Sequence, residues 1–305
     1  MNLLLWGGPV STAMADGVAW QSPTQVLTIN HGPPGADGNT IGSNAFSNLA
    51  ASVRTPSGSV LDGLLAAHGL RADSFDRIAI AGFSAFHGLA NPLLAADGDR
   101  IAAAVLLDSC FSSFGSVEKA GYVDFAARAA RGEKLMVFSS SHGGGGTYTT
   151  GSVCAIANFD AGAARAGVAP QAWDPSPLPR PSVGRTERAG DLYLLDYGPD
   201  YQHAQHVTSI GKPILSTLLA PYLAHGSLDR PADEVATDAP PRSGSSWLPA
   251  VGVVVAGLAA GYYFATRSRS RLQVTDLRLP PDSEGPASRP PPTFPSESAP
   301  SGCGP

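Results

Sequence analysis

Positive charge is scarce in this chain of 305 residues, which has 20 Lys and Arg against 25 Asp and Glu, a net charge of −5. A protein of this composition has no broad basic surface to neutralise phosphates, so we expect no nucleic-acid partner. Cysteine is scarcer still, with three residues and no CxxC pair. The sequence therefore predicts neither a zinc knuckle nor a disulfide framework.

Residues 1–225 contain apolar runs at short intervals, separated by Gly, Ser and Pro, and we interpret them as the globular domain. Residues 226–246 lack such runs and are rich in Pro, Ser and Asp, which is typical of a linker. Residues 267–305 are rich in Pro and hold few large apolar side chains. Such a segment buries too little surface to offset its ordering entropy, so we predict a disordered tail.

Between linker and tail, residues 248–265 carry no charged side chain. As a helix they would span about 27 Å, near the lower limit for a bilayer core. We predict a transmembrane helix over 247–266, with a buried core helix as the alternative. Three arginines follow this segment closely and favour a cytoplasmic tail, whereas the N-terminus shows no secretory signal. The side of the membrane on which the globular domain lies therefore stays open.

Short apolar runs alternate with helical patterns through the globular part. Continuous apolar strands indicate a parallel sheet covered on both faces, and the alternation predicts a doubly wound α/β fold. The predicted strands are 2–6, 25–30, 77–82, 101–107, 134–139 and 191–196. The predicted helices are 59–69, 85–96, 118–131, 153–166 and 213–224. Functional groups of such sheets gather beyond the carboxyl ends of the strands.

A candidate nucleophile follows the third strand, in the sequence Gly82-Phe-Ser-Ala-Phe-His-Gly88. A serine on a sharp strand-to-helix turn exposes its hydroxyl beside the positive end of the helix. Small neighbours ease the tight turn, and Gly82 and Ala85 meet that need. Phe86 departs from the GxSxG pattern at its second glycine. The alternative role for Ser84 is to cap the following helix.

On these residues the chain resembles the α/β-hydrolase superfamily over about residues 1–225. The start LLLWGGPV resembles the superfamily element whose loop donates a backbone N–H to the oxyanion hole. The resemblance implies that Gly7 or Gly8, together with the N–H of Ala85, forms that hole. The two leading strands of the superfamily sheet have no counterpart here, so we expect a sheet of about six strands.

The resemblance also implies a Ser-Asp-His order along the chain. Asp108 ends the fourth strand and is the preferred acid, with a helix-capping role as its alternative. His203 and His206 precede the final helix, where the superfamily places its base; we favour His203 slightly and retain His206. Asp200 is an alternative acid that lies close to these histidines in sequence.

A metal site and a lid are two further interpretations of residues near this candidate site. His142, His203 and His206 with Asp108 could instead form a metal site, but no HExxH arrangement is present, so we expect no metal and no cofactor. The segment 167–190, rich in Pro and Arg, is a candidate lid over the site.

The sequence therefore predicts a membrane-anchored serine hydrolase that acts on a small-molecule or lipid-like ester. The alternative is a non-catalytic binding or assembly protein of the same fold, tethered to a membrane. A haloperoxidase-like or C–C hydrolase activity at the same residues is a third possibility. The oligomeric state stays open.

Overall fold

The structure is a computed structural model of the chain. The residues that it describes are 1–7, 17–29, 43–110, 117–141, 150–181, 184–198 and 201–228.

A single mixed sheet of eight strands organises the described part, in the order β2-β1-β3-β4-β5-β8-β7-β6. The six strands from β2 to β8 in this order run parallel, and β7 and β6 continue the sheet antiparallel. The strands are β1 (Asn2–Gly7), β2 (Thr24–Ile29), β3 (Ile78–Phe83), β4 (Ile101–Leu107), β5 (Leu135–Ser140), β6 (Gln171–Ala172), β7 (Thr186–Ala189) and β8 (Leu192–Asp196).

Helices cover both faces of this sheet. They are α1 (Ser43–Ser52), α2 (Val60–Ala66), α3 (His87–Asp97), α4 (Ala120–Ala130), α5 (Thr150–Ala166), α6 (Gly211–Ile214) and α7 (Ala220–His225). Short turns of 3₁₀ helix lie at Ala72–Ser74 and Ser84–Phe86. Turns of π-helix at His206–Ile210 and Leu215–Leu219 join α6 and α7 into one helical segment from residue 206 to residue 225.

The core consists of two apolar layers, one on each face of the sheet. In β1, Leu3 and Leu5 pack with the residues of α1 to α5, whereas Leu4 and Trp6 pack with the 206–225 helical segment. Successive side chains of a strand point to opposite faces, so both sets must be apolar when both faces are covered. This double burial explains why the parallel strands are continuous apolar runs in the sequence.

The strand count corrects the expectation of about six. All six predicted strands are present and form the parallel part of the sheet. The two additional strands, β6 and β7, lie within the segment 167–190 and extend the sheet beyond β8. They have two and four residues and a partly polar composition, Gln-Ala and Thr-Glu-Arg-Ala, so no apolar run reveals them. Helix α1, rich in Ser and Asn, was likewise not predicted.

A disulfide corrects a second expectation. Cys110 and Cys154 are bonded, with their Cα atoms 5.5 Å apart, although 44 positions separate them in sequence. Cys110 lies just beyond the end of β4 and Cys154 lies in the second turn of α5, and both are buried. The prediction of no disulfide framework rested on the spacing of the cysteines along the chain, which did not reveal this single bond. The sheet and α5 bring the two residues together only in the folded protein.

The C-terminal predictions fall almost wholly outside the described residues. Most of the linker 226–246, the predicted transmembrane segment 247–266 and the tail 267–305 lie there. Within the described ranges, which end at residue 228, no helix has the length and apolar character to cross a bilayer.

Candidate active site

The carboxyl ends of β3, β4 and β5 lie side by side and bring three polar segments together. Phe83, the last residue of β3, is in register with Leu107 of β4, which is in register with Ser139 of β5. Ser84 and Asp108, the next residues after their strands, therefore emerge at the same edge of the sheet. Parallel strands place their carboxyl ends at one edge, which is where sites of α/β proteins form.

Ser84 occupies a sharp turn between β3 and α3. Its φ of 54° lies in the left-handed region, a conformation that costs a non-glycine residue about 1–3 kcal/mol. Neighbouring groups hold the turn in place. The carbonyl oxygen of Ser84 accepts a hydrogen bond of 2.9 Å from Ser109 Oγ and lies 3.2 Å from His87 Nδ1. Such strain persists only where the surrounding structure enforces it.

The ring of Phe86 packs over two glycines. Gly7 of β1 and Gly82 of β3 are directly in register, and the buried ring of Phe86 lies across both. A Cβ atom added to either glycine would lie 2.0 Å from the ring. Only glycine at these two positions leaves space for the aromatic ring. The departure of Phe86 from the GxSxG pattern is therefore accommodated without displacing the serine turn.

His203 connects the serine to the acid. Its Nε2 lies 2.8 Å from Ser84 Oγ, and its Nδ1 lies 2.6 Å from Asp108 Oδ2. The ring of Phe83 stacks on the imidazole, with the ring centroids 4.4 Å apart and the planes 29° from parallel. The side chain of His203 is 38% exposed, so the imidazole remains accessible at the surface.

Asp108 lies beneath His203 and is 2% exposed, with a φ of 43°. Burial alone would raise its pKa, but the hydrogen bond from His203 and the nearby imidazoles of His206 and His203 hold that pKa below its ordinary value. The carboxylate is therefore ionised at neutral pH and can only accept hydrogen bonds. His203 must then carry its proton on Nδ1, which leaves Nε2 free to accept a hydrogen bond from the Ser84 hydroxyl.

His206 points elsewhere, so the two candidate histidines are distinguished by geometry. Its Nδ1 lies 3.0 Å from Ser139 Oγ, and its ring lies edge-on to Tyr197. The imidazole is fully buried, and burial lowers its pKa to about 4. Among the described residues, none offers its Nε2 a hydrogen bond. A buried, neutral imidazole in this position does not contact Ser84.

The remaining predicted residues lie partly within and partly outside the described ranges. Gly7 ends β1, and Ala85 follows Ser84 in the turn that leads into α3, where the first N–H groups of a helix lack partners within the helix. Gly8, His142 and Asp200 lie outside the described residues. Across the described ranges, no three His, Cys, Asp or Glu side chains are grouped so as to hold a metal ion.

Sequence reasoning missed a buried polar network beside the site. Asp196, at the end of β8, accepts hydrogen bonds from Ser140 Oγ at 3.2 Å, from Ser152 Oγ at 2.6 Å and from the N–H of Gly198 at 3.2 Å. The run of three serines at the end of β5 was the available signal. Hydroxyls at the end of a buried strand lie where neighbouring strands place their carboxylates.

Comparison with solved structures gives weak similarity. No family model matches the sequence, and no curated protein matches it. The structure is similar to that of LpqC, a poly(3-hydroxybutyrate) depolymerase from Bordetella parapertussis, with a TM-score of 0.39 and 14% sequence identity. The match covers 77% of this chain and 82% of that chain. A similarity at this level assigns neither a family nor an activity.

Proposed function

We propose that this chain is a serine hydrolase of the α/β-hydrolase type that cleaves an ester or a related acyl bond. The observation that carries the proposal is the hydrogen-bonded series from Ser84 Oγ to His203 Nε2, and from His203 Nδ1 to Asp108 Oδ2. A serine hydroxyl is a weak nucleophile at neutral pH and needs a base in contact with it. The base needs an acid that fixes its tautomer, and Asp108 supplies one.

The reaction follows from these contacts. Ser84 Oγ attacks the acyl carbon while its proton passes to His203 Nε2, and Asp108 stabilises the imidazolium that forms. When the tetrahedral intermediate collapses, the imidazolium returns the proton to the leaving oxygen of the alcohol. The acyl group is then bound to Ser84. A water molecule, deprotonated in turn by His203, attacks the acyl carbon, and the acid product leaves as Ser84 regains its proton.

The developing oxyanion needs donors that are fixed before the reaction. The backbone N–H of Ala85, at the start of the turn into α3, is one candidate donor, and that of Gly7 or Gly8 is the other. Losing one such donor typically costs about 2.7–4 kcal/mol of transition-state stabilisation. The left-handed conformation of Ser84 supports this role, because it turns the chain so that the hydroxyl and the next N–H lie at the same edge.

A small-molecule or lipid-like ester is the proposed substrate class. A non-catalytic binding or assembly protein is the alternative. The departure of Phe86 from the GxSxG pattern does not favour it, because the glycine pair accommodates the ring. No acidic residue follows β5 directly in the sequence, but Asp108 after β4 lies 2.6 Å from His203 Nδ1.

The proposal is tested by ester hydrolysis with the purified full chain. We expect turnover of p-nitrophenyl esters by the wild type and loss of nearly all turnover in Ser84→Ala. Ser57→Ala, at an exposed serine near α2, is the matched control and should hydrolyse at the wild-type rate. Well-folded wild-type protein that hydrolyses none of a graded series of acyl chain lengths would refute the serine hydrolase and favour the binding protein.

We also propose that residues 248–265 anchor the enzyme to a membrane, because that stretch lacks charge and arginines follow it. The Cys110–Cys154 disulfide supports a position of the globular domain on the oxidising side. Deleting 248–265 should move the protein from the membrane fraction to the soluble fraction. Equal distribution of the two forms would contradict the anchor.

A further inference from the structure

Three consecutive serines at the end of β5 each bind a different buried ionisable group. Ser139 Oγ lies 3.0 Å from His206 Nδ1, and Ser140 Oγ donates to Asp196 at 3.2 Å. Ser141 Oγ donates to Asp108 Oδ2 at 2.7 Å. All three serines are almost completely buried. Only the third of these hydroxyls reaches a member of the Ser84–His203–Asp108 series.

Ser141 contacts both oxygens of that carboxylate. Its hydroxyl donates to Oδ2, the oxygen that also accepts from His203 Nδ1, and its backbone N–H donates to Oδ1 at 3.2 Å. A carboxylate held at both oxygens cannot rotate about its Cβ–Cγ bond without breaking a hydrogen bond. The contact therefore fixes the plane in which Oδ2 meets the imidazole.

The first turn of α5 also packs against the Asp108 carboxylate. A Cβ atom on Gly151, the second residue of that helix, would lie 2.8 Å from Asp108 Oδ1. The carboxylate is thus enclosed by Ser141, His203 and this glycine. The Cys110–Cys154 disulfide joins the same part of α5 to the segment that follows Asp108. Because the carboxylate is buried, bulk water does not readily replace a hydrogen-bond donor that it loses.

We propose that Ser141 is a positioning residue for the proposed hydrolase reaction, holding the Asp108 carboxylate in the orientation that aligns His203 with Ser84. The inference rests on the proposed function. Ser141 is almost completely buried, and its hydroxyl is engaged with Asp108. Its loss therefore slows turnover and leaves the Michaelis constant unchanged, because misalignment of catalytic groups raises the barrier of the chemical step.

The kinetic test compares Ser141→Ala with Ser140→Ala in the full chain. Ser140 is the matched control, because it is equally buried and donates to a carboxylate outside the proposed catalytic series. We expect kcat for a p-nitrophenyl ester to fall about 10- to 150-fold in Ser141→Ala, the range of one hydrogen bond to a charged group. Ser140→Ala should lower the thermal unfolding midpoint by about as much as Ser141→Ala does, and it should leave kcat at the wild-type level.

A second variant separates the hydroxyl from its volume. Ser141→Cys keeps a side chain of similar size but donates only weakly, so its kcat should also fall. Equal losses of kcat in Ser140→Ala and Ser141→Ala would overturn the proposal, because they would indicate a general effect of packing. A higher KM with an unchanged kcat would overturn it as well.

A spectroscopic readout distinguishes failure of this inference from failure of the proposed function. The proton on His203 Nδ1, shared with Asp108, should give a downfield ¹H NMR resonance that needs no turnover to be observed. We expect that resonance to move in Ser141→Ala and to stay in place in Ser140→Ala. If the wild type hydrolyses no ester but the resonance moves in Ser141→Ala as expected, only the hydrolase function is contradicted. A resonance that is unchanged in Ser141→Ala would overturn the positioning role. A wild type without the resonance would contradict the hydrogen bond between His203 Nδ1 and Asp108, on which both proposals depend.

Discussion

The buried imidazole of His206 should make the folded protein sensitive to mild acid. Burial lowers its pKa from an ordinary value of 6.5 to about 4 in the folded state. Between these pH values the unfolded chain binds a proton at His206 that the folded protein does not bind. The free energy of unfolding therefore falls as the pH is lowered from 6.5 towards 4.

The size of this effect follows from the two pKa values. The interval from 6.5 to about 4, at about 1.4 kcal/mol per pH unit, corresponds to roughly 3 kcal/mol. The imidazole is completely buried, so solvent screening does not reduce the estimate. A loss of that size is a substantial part of the 5–15 kcal/mol that stabilises typical domains.

The perturbation is His206→Asn, which removes the titratable group but leaves a polar atom within reach of Ser139. We expect this variant to be about 1–3 kcal/mol less stable than the wild type at pH 7, because it loses ring packing in the core. Urea unfolding of both proteins at several pH values between 7 and 4 measures the comparison. The wild type should lose about 3 kcal/mol more than the variant over that range, which brings the two stabilities together or reverses their order.

Parallel losses in the two proteins would refute the reasoning. That result would mean that His206 binds its proton in the folded protein as readily as in the unfolded chain. Apart from Asp108, whose pKa His206 helps to lower, other groups that titrate in this range affect both proteins alike, so the difference between the two curves reports chiefly on His206.

Two further predictions concern the elements that support the site. Gly82→Ala should destabilise the protein by more than about 2 kcal/mol in urea unfolding, because its Cβ would lie 2.0 Å from the ring of Phe86. Phe86→Leu in the same chain should recover part of that loss. Additive losses in the double variant would show that the two side chains do not compete for the same space. Replacing Cys110 and Cys154 by Ala should lower the free energy of unfolding by about 4 kcal/mol, from the entropy of closing a loop across 44 positions, and added reductant should then have no further effect. An unchanged midpoint in the Cys variant would show that the bond contributes nothing to stability.

The parallel part of the sheet was predictable because its strands are buried on both faces. Runs such as Ile78–Phe83 and Ile101–Leu107 are continuous and apolar, and each is followed by a turn and a helix. The edge strands β6 and β7 have no such signature, since the first has two residues and the second is half-exposed and partly polar. Their pairing depends on β8 as a template, and the local sequence does not specify it.

The candidate site was predictable only as a set of residue types at strand ends. The order of Ser84, Asp108 and a histidine follows from the sequence, but the choice between His203 and His206 does not. Three positions separate the two histidines, and the helical turn at His206–Ile210 directs the second into the core. The Cys110–Cys154 bond and the contact of Ser141 with Asp108 likewise join segments that only the folded sheet brings together.

Covalent trapping shows whether Ser84 is the activated nucleophile that we propose. The full chain is treated with a fluorophosphonate, digested and analysed by mass spectrometry. We predict a single phosphonyl adduct on the peptide that contains Ser84, formed much more slowly in His203→Gln and absent from Ser84→Ala. Wild-type protein that stays unmodified while folded, or an adduct that persists in Ser84→Ala, would contradict the account.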